Sequence, residues 1–187
     1  EHGCIFVDLE SGGTDTNEIT FEGMLRQVPL GFDGEPTYQT TDVIHEANTS
    51  RKEYVELKQF TDTLVKGCAT DYEKAERISQ WVNGHITYEL GKFAGNTIES
   101  VYTLFFDDAP EGNCMAYTRL AAYMLYLAGI PTLEVINADH EWCMAYIGGK
   151  WLIIDATNNI ITEDYSKSLY ASPRFLSFSQ DGNIYAV

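Results

Sequence analysis

Basic residues and long apolar runs are both scarce in this sequence, and each shortage excludes a class of protein. Lysine and arginine number 12 against 28 acidic residues, which gives a formal net charge of −16. Binding to phosphate backbones needs a basic surface, so we expect no nucleic acid partner. No stretch approaches the roughly 20 apolar residues of a membrane-spanning helix, so we expect no membrane-spanning segment. The acidic excess is most simply a solvated surface.

Cysteine is also scarce, and the spacing of the four cysteines indicates neither a disulfide scaffold nor a metal site. Cys4, Cys68, Cys114 and Cys143 form no CxxC pair and are too few for a disulfide scaffold. His140 lies near Cys143, but no second pair with zinc-ligand spacing accompanies them. The chain lacks a glycine-rich phosphate loop and a DxDxDG calcium loop. We therefore expect neither a metal site nor another cofactor.

The composition is that of a folded chain. With 187 residues, 44% of them hydrophobic, the chain is long enough to bury a core. We predict a β-leaning N-terminal extension at residues 1–48 and a core domain at 49–187. Because the chain starts at Glu1 rather than methionine, we expect a removed leader. Together with the acidic composition, this favours a secreted or cell-surface bacterial protein. Nothing in the sequence indicates the oligomeric state.

Helical periodicity predicts three helices before Cys114 and a fourth that begins at it. The fourth is apolar on nearly all sides, which is typical of a buried central helix. The second is expected to open with the capping box Thr70–Glu73 and to end at Gly84. The predicted ranges are Lys52–Lys66, Thr70–Gly84, Ile98–Phe106 and Cys114–Ala128.

Strand-like patterns follow the fourth helix. We predict strands at Thr132–Asn137, His140–Ile147 and Lys150–Ala156, with closing strands at Phe175–Phe178 and Asn183–Val187. The dipeptide Gly148–Gly149 indicates a two-residue hairpin turn of the primed type. The N-terminal segment is expected to add short strands at Cys4–Val7, Ile19–Phe21 and Thr37–Ala47. The predicted fold is α+β, with a central buried helix packed on an antiparallel sheet.

The register of this hairpin decides which side chains can meet. A turn at Gly148–Gly149 places Trp142 opposite Asp155. His140 shares a face with Trp142, because strand side chains alternate. His140 and Asp155 are then diagonal neighbours, roughly 7–8 Å apart along the backbone. Cys143 points to the other face as a small core residue.

Cys114 is well placed for thiolate chemistry. If Asn113 caps the helix, Cys114 is its first residue, where the helix dipole favours negative charge. A thiol, an imidazole and a carboxylate are the parts of an acyl-transfer triad. In that interpretation Cys114 attacks a carbonyl, His140 moves the proton and Asp155 orients the imidazole. Taken singly, each could instead be a packed cysteine, a strand histidine or a turn aspartate.

Four short motifs resemble the transglutaminase-like superfamily, which is related in architecture to papain-type peptidases. They are Gly112-Asn113-Cys114, Gly129-Ile130-Pro131, His140-Glu141-Trp142 and Trp151-Leu152-Ile153-Ile154-Asp155-Ala156-Thr157. The resemblance implies a papain-like core with Cys114, His140 and Asp155 as nucleophile, general base and orienting acid. Glu141 and Ala156 depart from the residues common in that family. We expect Glu141 to add charge at the rim of the site and Ala156 to loosen the strand end.

The predicted function is cysteine-dependent acyl transfer on peptide-type amide bonds of a protein or peptide substrate. A thioester on Cys114 would be resolved by water, as in a peptidase or amidase, or by an amine, as in a transglutaminase. Trp142, Tyr88 and Asn113 are candidate substrate-binding residues. Tyr88 is either an oxyanion donor or a packed tyrosine. Two alternatives are a non-catalytic binding module with this fold and acetyl-CoA-dependent arylamine acetylation, for which no basic cluster is visible.

Overall fold

The structure of the protein is a computed structural model. It describes residues 48–95, 97–137, 139–164 and 167–170, together with the backbone of 174–178 and 184–186. Apart from residue 48, the predicted N-terminal extension lies outside the described residues, and so do its three predicted strands. The division of the chain at residue 48 therefore stays a prediction.

The described residues form four α-helices and eight strands. The helices are α1 (Lys52–Leu64), α2 (Asp71–His85), α3 (Ile98–Phe106) and α4 (Cys114–Leu127). The strands are β1 (Thr87–Tyr88), β2 (Glu111–Gly112), β3 (Thr132–Ile136), β4 (Glu141–Ile147), β5 (Lys150–Asp155), β6 (Ile160–Thr162), β7 (Arg174–Phe178) and β8 (Ile184–Ala186). A short 3-10 turn covers Ser168–Tyr170.

The predicted helices are confirmed, with differences at their ends. Helix α1 stops at Leu64, two residues before the predicted end. Helix α2 begins after Thr70, whose side chain accepts a hydrogen bond from the Glu73 amide as the capping box requires. It does not end at Gly84 as predicted but continues to His85. Gly84 does not adopt the positive φ with which a glycine ends a helix.

The main sheet is antiparallel, and its six described strands have the order β6-β5-β4-β3-β7-β8. Strands β3 to β5 and the two closing strands agree with the prediction to within two residues at each end. Strand β6 and a separate parallel pair of β1 with β2 were not predicted. These strands are two or three residues long, too short for a period-2 pattern to show.

The hairpin between β4 and β5 has the predicted register. Ile147 pairs with Lys150, and Cys143 pairs with Ile154. Gly148 and Gly149 have φ values of +62° and +82°, the left-handed conformation that a type I′ turn requires at both positions. Glycine adopts this conformation without a steric penalty, which explains why two glycines stand here.

Helix α4 lies in the centre of the molecule, and eleven of its fourteen residues are buried. It packs on one face of the sheet, where Cys143, Ala145, Leu152 and Ile154 line the main core as predicted. The opposite face carries a second core cluster that includes Trp142, Trp151 and Tyr170. The predicted α+β architecture, with a buried central helix on an antiparallel sheet, is confirmed. None of the described helices has the length and apolarity needed to cross a membrane.

Candidate active site

The start of α4 is built to present Cys114. The Asn113 side chain caps the helix, its Oδ1 accepting a hydrogen bond of 3.1 Å from the Met115 amide. Gly112 allows the chain to approach the helix closely, because a Cβ at this position would lie 2.2 Å from the Cβ of Ala116. Cys114 is therefore the first helical residue, and it is partly exposed.

A short backbone frame supports the approach to Cys114. The Thr87 amide donates to the Pro110 carbonyl, and the Glu89 amide donates to the Gly112 carbonyl. The Asn113 amide donates to the Lys92 carbonyl at 2.9 Å. The segment that begins with β1 thus lies directly beside the residues that lead into the cysteine.

His140 and Asp155 meet through the β4–β5 hairpin. Nε2 of His140 lies 2.8 Å from Oδ2 of Asp155, and both side chains are buried. The amide of His140 donates to Oδ1 of Asn137 at 2.8 Å, which positions the turn before β4. The diagonal pairing expected from the sequence therefore brings the two side chains into hydrogen-bond contact.

Two residues that the sequence did not single out also bind the Asp155 carboxylate. Asn158 donates from its backbone amide to Oδ1 at 3.1 Å and from Nδ2 to Oδ2 at 2.8 Å. The Tyr170 hydroxyl donates to Oδ2 at 2.9 Å. The backbone contact could have been expected, because Asp side chains often accept a hydrogen bond from an amide a few residues later in a turn. No local pattern connects Tyr170 with Asp155.

These contacts determine the charge of Asp155. Burial alone would raise the pKa of its carboxyl group, but the hydrogen bonds from His140 and Asn158 outweigh burial and lower it. The carboxylate therefore stays ionised and accepts hydrogen bonds at both oxygens. Burial and the neighbouring carboxylate raise the pKa of Tyr170, so its hydroxyl remains a donor.

His140 interacts with Cys114 as well as with Asp155. Burial opposes protonation of the ring, but hydrogen bonds to Asp155 and Cys114 outweigh it and raise the pKa of His140 from 6.5 to about 9. Because Nε2 bonds Asp155, Nδ1 is the nitrogen left for the sulfur. His140 thus bonds Asp155 and also interacts with Cys114.

Trp142, a candidate substrate-binding residue, does not reach the surface of the site. Its side chain is fully buried, and its ring stacks on His140 with centroids 5.9 Å apart and planes 20° apart. A side chain without exposed surface cannot contact a substrate in this conformation, so Trp142 supports the imidazole from behind. Trp151 is buried in the second core cluster against Tyr146.

The other two candidate substrate-binding residues, Asn113 and Tyr88, lie near Cys114. Asn113 is buried, and its side chain is engaged in capping α4. Tyr88 is half exposed rather than packed, and it pairs with Gly112 in the β1–β2 register. Its ring centroid lies 6.2 Å from that of Tyr117. Tyr88 is therefore accessible beside the nucleophile.

Glu141 does not add charge at the rim, contrary to the expectation. Its side chain is fully buried, with Oε1 at 3.9 Å from Nε of Arg119. Arg119 is equally buried and lies 4.0 Å from Oε2 of Glu134. Burial raises the pKa of Glu141 from 4.5 to about 7. The expectation failed because strand alternation points Glu141 towards α4, away from the face of His140.

Ala156 does not loosen the end of β5. It is buried, and Nδ2 of Asn83 donates to the carbonyls of Ala156 and Thr157 at 2.9 and 3.0 Å. Helix α2 therefore holds this strand end.

Cys143 is buried as predicted, and its Sγ donates to the Thr118 carbonyl at 3.3 Å. Across the described residues, no cluster of three or more His, Cys, Asp or Glu side chains is arranged to hold a metal ion.

The chain is similar to several known proteins. Human Kyphoscoliosis peptidase is 23% identical over 117 residues, which cover 54% of this chain and 18% of that protein. The chain thus spans less than a fifth of the length of this relative.

Solved structures are similar over larger parts of the chain. A candidate cysteine protease from Cytophaga hutchinsonii is 21% identical with a TM-score of 0.48, covering 71% of this chain and 48% of that one. A transglutaminase structure is 19% identical with a TM-score of 0.44, covering 66% of this chain and 37% of that one.

Family membership follows from the sequence comparison. The sequence model of the transglutaminase-like superfamily matches residues 58–156, just over half of the 187 residues. That range includes Cys114, His140 and Asp155. The chain belongs to the transglutaminase-like superfamily.

Proposed function

We propose that this protein is a cysteine-dependent acyl-transfer enzyme that acts on peptide-type amide bonds. The observation that carries the proposal is the position of His140 between Asp155 and Cys114, with its pKa raised to about 9 by both partners. An imidazolium that persists through neutral pH next to a sulfur supports a thiolate–imidazolium pair. A buried cysteine or an isolated strand histidine would not require this arrangement.

The first half-reaction follows from the positions of these groups. The thiolate of Cys114 attacks the carbonyl carbon of the amide and forms a tetrahedral intermediate. His140 then gives its proton to the departing amine as the C–N bond breaks, which leaves a thioester on Cys114. Asp155 keeps the ring oriented through Nε2, so that Nδ1 faces the reacting atoms.

The start of α4 offers a donor for the oxyanion. The amides of Ala116 and Tyr117 bond to the Asn113 carbonyl, and the Met115 amide bonds to the Asn113 side chain. The amide of Cys114 is the first of the helix and has no acceptor within it. We assign it as the oxyanion donor, and the half-exposed Tyr88 as a candidate second donor.

The second half-reaction transfers the acyl group to water or to an amine. In either case neutral His140 removes a proton from the acceptor, and the thiolate leaves again. We favour water, which gives a peptidase or amidase, because Cys114 is partly exposed and water reaches it without a special channel. Transfer to an amine, as in a transglutaminase, is the alternative.

Alkylation of the cysteines provides the first test. We would measure the rate of iodoacetamide modification from pH 5 to pH 9 and assign the adducts by mass spectrometry, in wild type and in His140→Ala. Cys114 is expected to react fast at pH 6 in wild type and at least tenfold more slowly in the variant, since loss of the imidazolium destabilises the thiolate. Cys68, which is also partly exposed, serves as the internal reference.

Activity on peptide amides provides the second test. Hydrolysis of casein peptides should be lost in Cys114→Ala, while Cys143→Ala should retain it, because Cys143 is buried on the opposite face of the hairpin. Slow labelling of Cys114 that is the same in His140→Ala would contradict the proposal. The alternative of a non-catalytic binding module would then account better for the chain.

A further inference from the structure

Three large apolar side chains project into solvent from one short segment beside the candidate active site. Tyr88 is 50% exposed, Leu90 71% and Phe93 72%. Among the described residues these are the three most exposed of seven large exposed apolar side chains. Their clustering within six residues distinguishes them from the scattered exposed apolar residues of ordinary surfaces.

The backbone of this segment is held in place although its side chains are exposed. Thr87, Glu89 and Lys92 are hydrogen bonded to the residues that precede Cys114. At the end of the segment, the buried Arg119 donates from Nη1 to the carbonyls of Ala94 and Gly95. A surface whose backbone is already ordered loses little conformational entropy when a ligand binds.

The segment is continuous with the reacting centre. Tyr88 pairs with Gly112, and the Lys92 carbonyl accepts a hydrogen bond from the Asn113 amide. Gly112 and Asn113 are the two residues immediately before Cys114. Phe93 also lines a cavity of about 270 Å³, whose other walls include Leu104 of α3 and Glu111 of β2.

The charges near the segment do not favour a charged ligand. Nζ of Lys92 lies 3.8 Å from Oε2 of Glu111, so these two charges offset each other. In the same cavity, Glu99 is hydrogen bonded through both carboxylate oxygens to Arg51. Glu89, which is also exposed, adds one negative charge to the segment. The largest exposed side chains of this surface are apolar, and burial of apolar area is what a ligand would gain there.

We propose that Leu90 and Phe93 form a recognition subsite for an apolar side chain of the peptide that acylates Cys114. This proposal rests on the proposed function and specifies its substrate class. The expected substrates are peptides with leucine-like residues on the acyl side of the reacting amide. The acyl part stays attached to Cys114 through the thioester, so contacts with this surface would hold it through both half-reactions. Tyr88, nearest to Gly112, borders the same surface.

Covalent probes test the subsite without knowledge of the natural substrate. Acetyl-Leu-Leu-glycine vinyl sulfone and acetyl-Ser-Ser-glycine vinyl sulfone place an apolar or a polar peptide on the acyl side of an electrophile for Cys114. Second-order inactivation rates would be measured for wild type and for the double variant Leu90→Ser/Phe93→Ser. Each rate is divided by the iodoacetamide rate of the same variant, so that changes in thiol reactivity cancel.

A matched control uses another exposed aromatic residue. Tyr72 is 43% exposed at the start of α2. Fifteen helical residues separate that end from the end near Thr87, a distance of about 20 Å. Tyr72→Ser therefore removes a comparable apolar side chain far from the proposed subsite.

The expected result is a preference of at least tenfold for the leucine probe in wild type and in Tyr72→Ser. In the double variant the preference should fall to within about twofold of unity, because the apolar contacts that favour the leucine probe are removed. Equal rates for the two probes in wild type, or a full preference in the double variant, would overturn the subsite. If iodoacetamide itself did not label Cys114 selectively, the proposed function would fail, and the subsite with it.

Discussion

The hydroxyl of Tyr170 and the side chain of His140 donate to the same oxygen of Asp155, at 2.9 and 2.8 Å. Tyr170 belongs to a 3-10 turn that lies fifteen residues after Asp155 in the chain. Its ring also packs edge-on against Trp142, with centroids 5.2 Å apart. Tyr170 therefore contacts both the carboxylate and the aromatic side chain that support the imidazole, and we infer that it is a positioning residue.

Tyr170→Phe is expected to slow acylation by roughly tenfold, because a hydrogen bond to a charged group contributes about 1.5–3 kcal/mol and part of this is recovered by relaxation. The remaining donors should interact more strongly with the freed carboxylate oxygen. The pKa of His140 should therefore rise further, which a pH profile of Cys114 alkylation would detect. Tyr146→Phe is the matched control, because Tyr146 packs on Trp151 in the same cluster. A profile that does not shift would show that Tyr170 only fills space.

Gly112→Ala is expected to abolish most activity and to lower the free energy of unfolding by about 1–3 kcal/mol. The added methyl group would lie 2.2 Å from the Cβ of Ala116, so the first turn of α4 has to move. Gly84→Ala serves as the control, because its Cβ meets no atom within 4 Å and alanine favours a helix by up to about 1 kcal/mol. Chemical denaturation and the Cys114 alkylation rate would measure the two effects. Unchanged alkylation in Gly112→Ala would contradict the close approach.

The protonated form of His140 should persist to unusually high pH. Its pKa is raised from 6.5 to about 9. The stability that this charge contributes is fully present below pH 6.5 and is lost as the pH rises through about 9. An NMR titration of the imidazole should give a midpoint near 9 in wild type. In Asp155→Asn the midpoint should fall by at least one unit, because the partner charge is lost while burial remains. A wild-type midpoint near 6.5 would contradict the pairing.

Glu141→Gln is expected to stabilise the protein above pH 7. The folded-state pKa of Glu141 is raised to about 7, so its contribution to stability falls as the pH rises from 4.5 to 7. Glutamine removes this penalty and leaves Arg119 matched with Glu134. A gain on the order of 1 kcal/mol at pH 8 and none at pH 4 is the expected outcome. Glu163→Gln, at an exposed pair with Lys150, should have little effect at either pH.

Arg119→Met should have the opposite effect. It would leave the carboxylates of Glu134 and Glu141 buried without the guanidinium that lies within 4.0 Å of both. Breaking a buried ion pair in this way costs about 3–5 kcal/mol. It would also release the carbonyls of Ala94 and Gly95. Thermal unfolding at pH 5 and pH 8 would measure the loss, which should be larger at pH 8, where Glu141 is ionised.

The local features of the candidate site could be predicted from the sequence because each depends on neighbouring residues. Asn113 caps the helix that Cys114 begins, and cap preference acts within one turn. The turn at Gly148–Gly149 sets the register of β4 and β5, and this register brings His140 to Asp155. A helix cap and a hairpin turn, each formed by neighbouring residues, were enough to predict these two features.

The buried charges could not be predicted in the same way. An Arg or a Glu in a strand or helix is normally exposed, and composition alone favours that interpretation. Glu141 and Arg119 are buried because β4 and α4 face each other across the core. Their proximity depends on how the helix packs on the sheet, which no local pattern records.

The sequence by itself determined the helix start at Cys114, the hairpin register and hence the pairing of His140 with Asp155. Tertiary structure alone decided that Tyr170 shares the Asp155 carboxylate and that the segment with Leu90 and Phe93 lies beside Cys114. The physical reason is the range of the interactions. Caps and turns act over a few residues, whereas contacts between distant segments form only when the packing of the whole core brings them together.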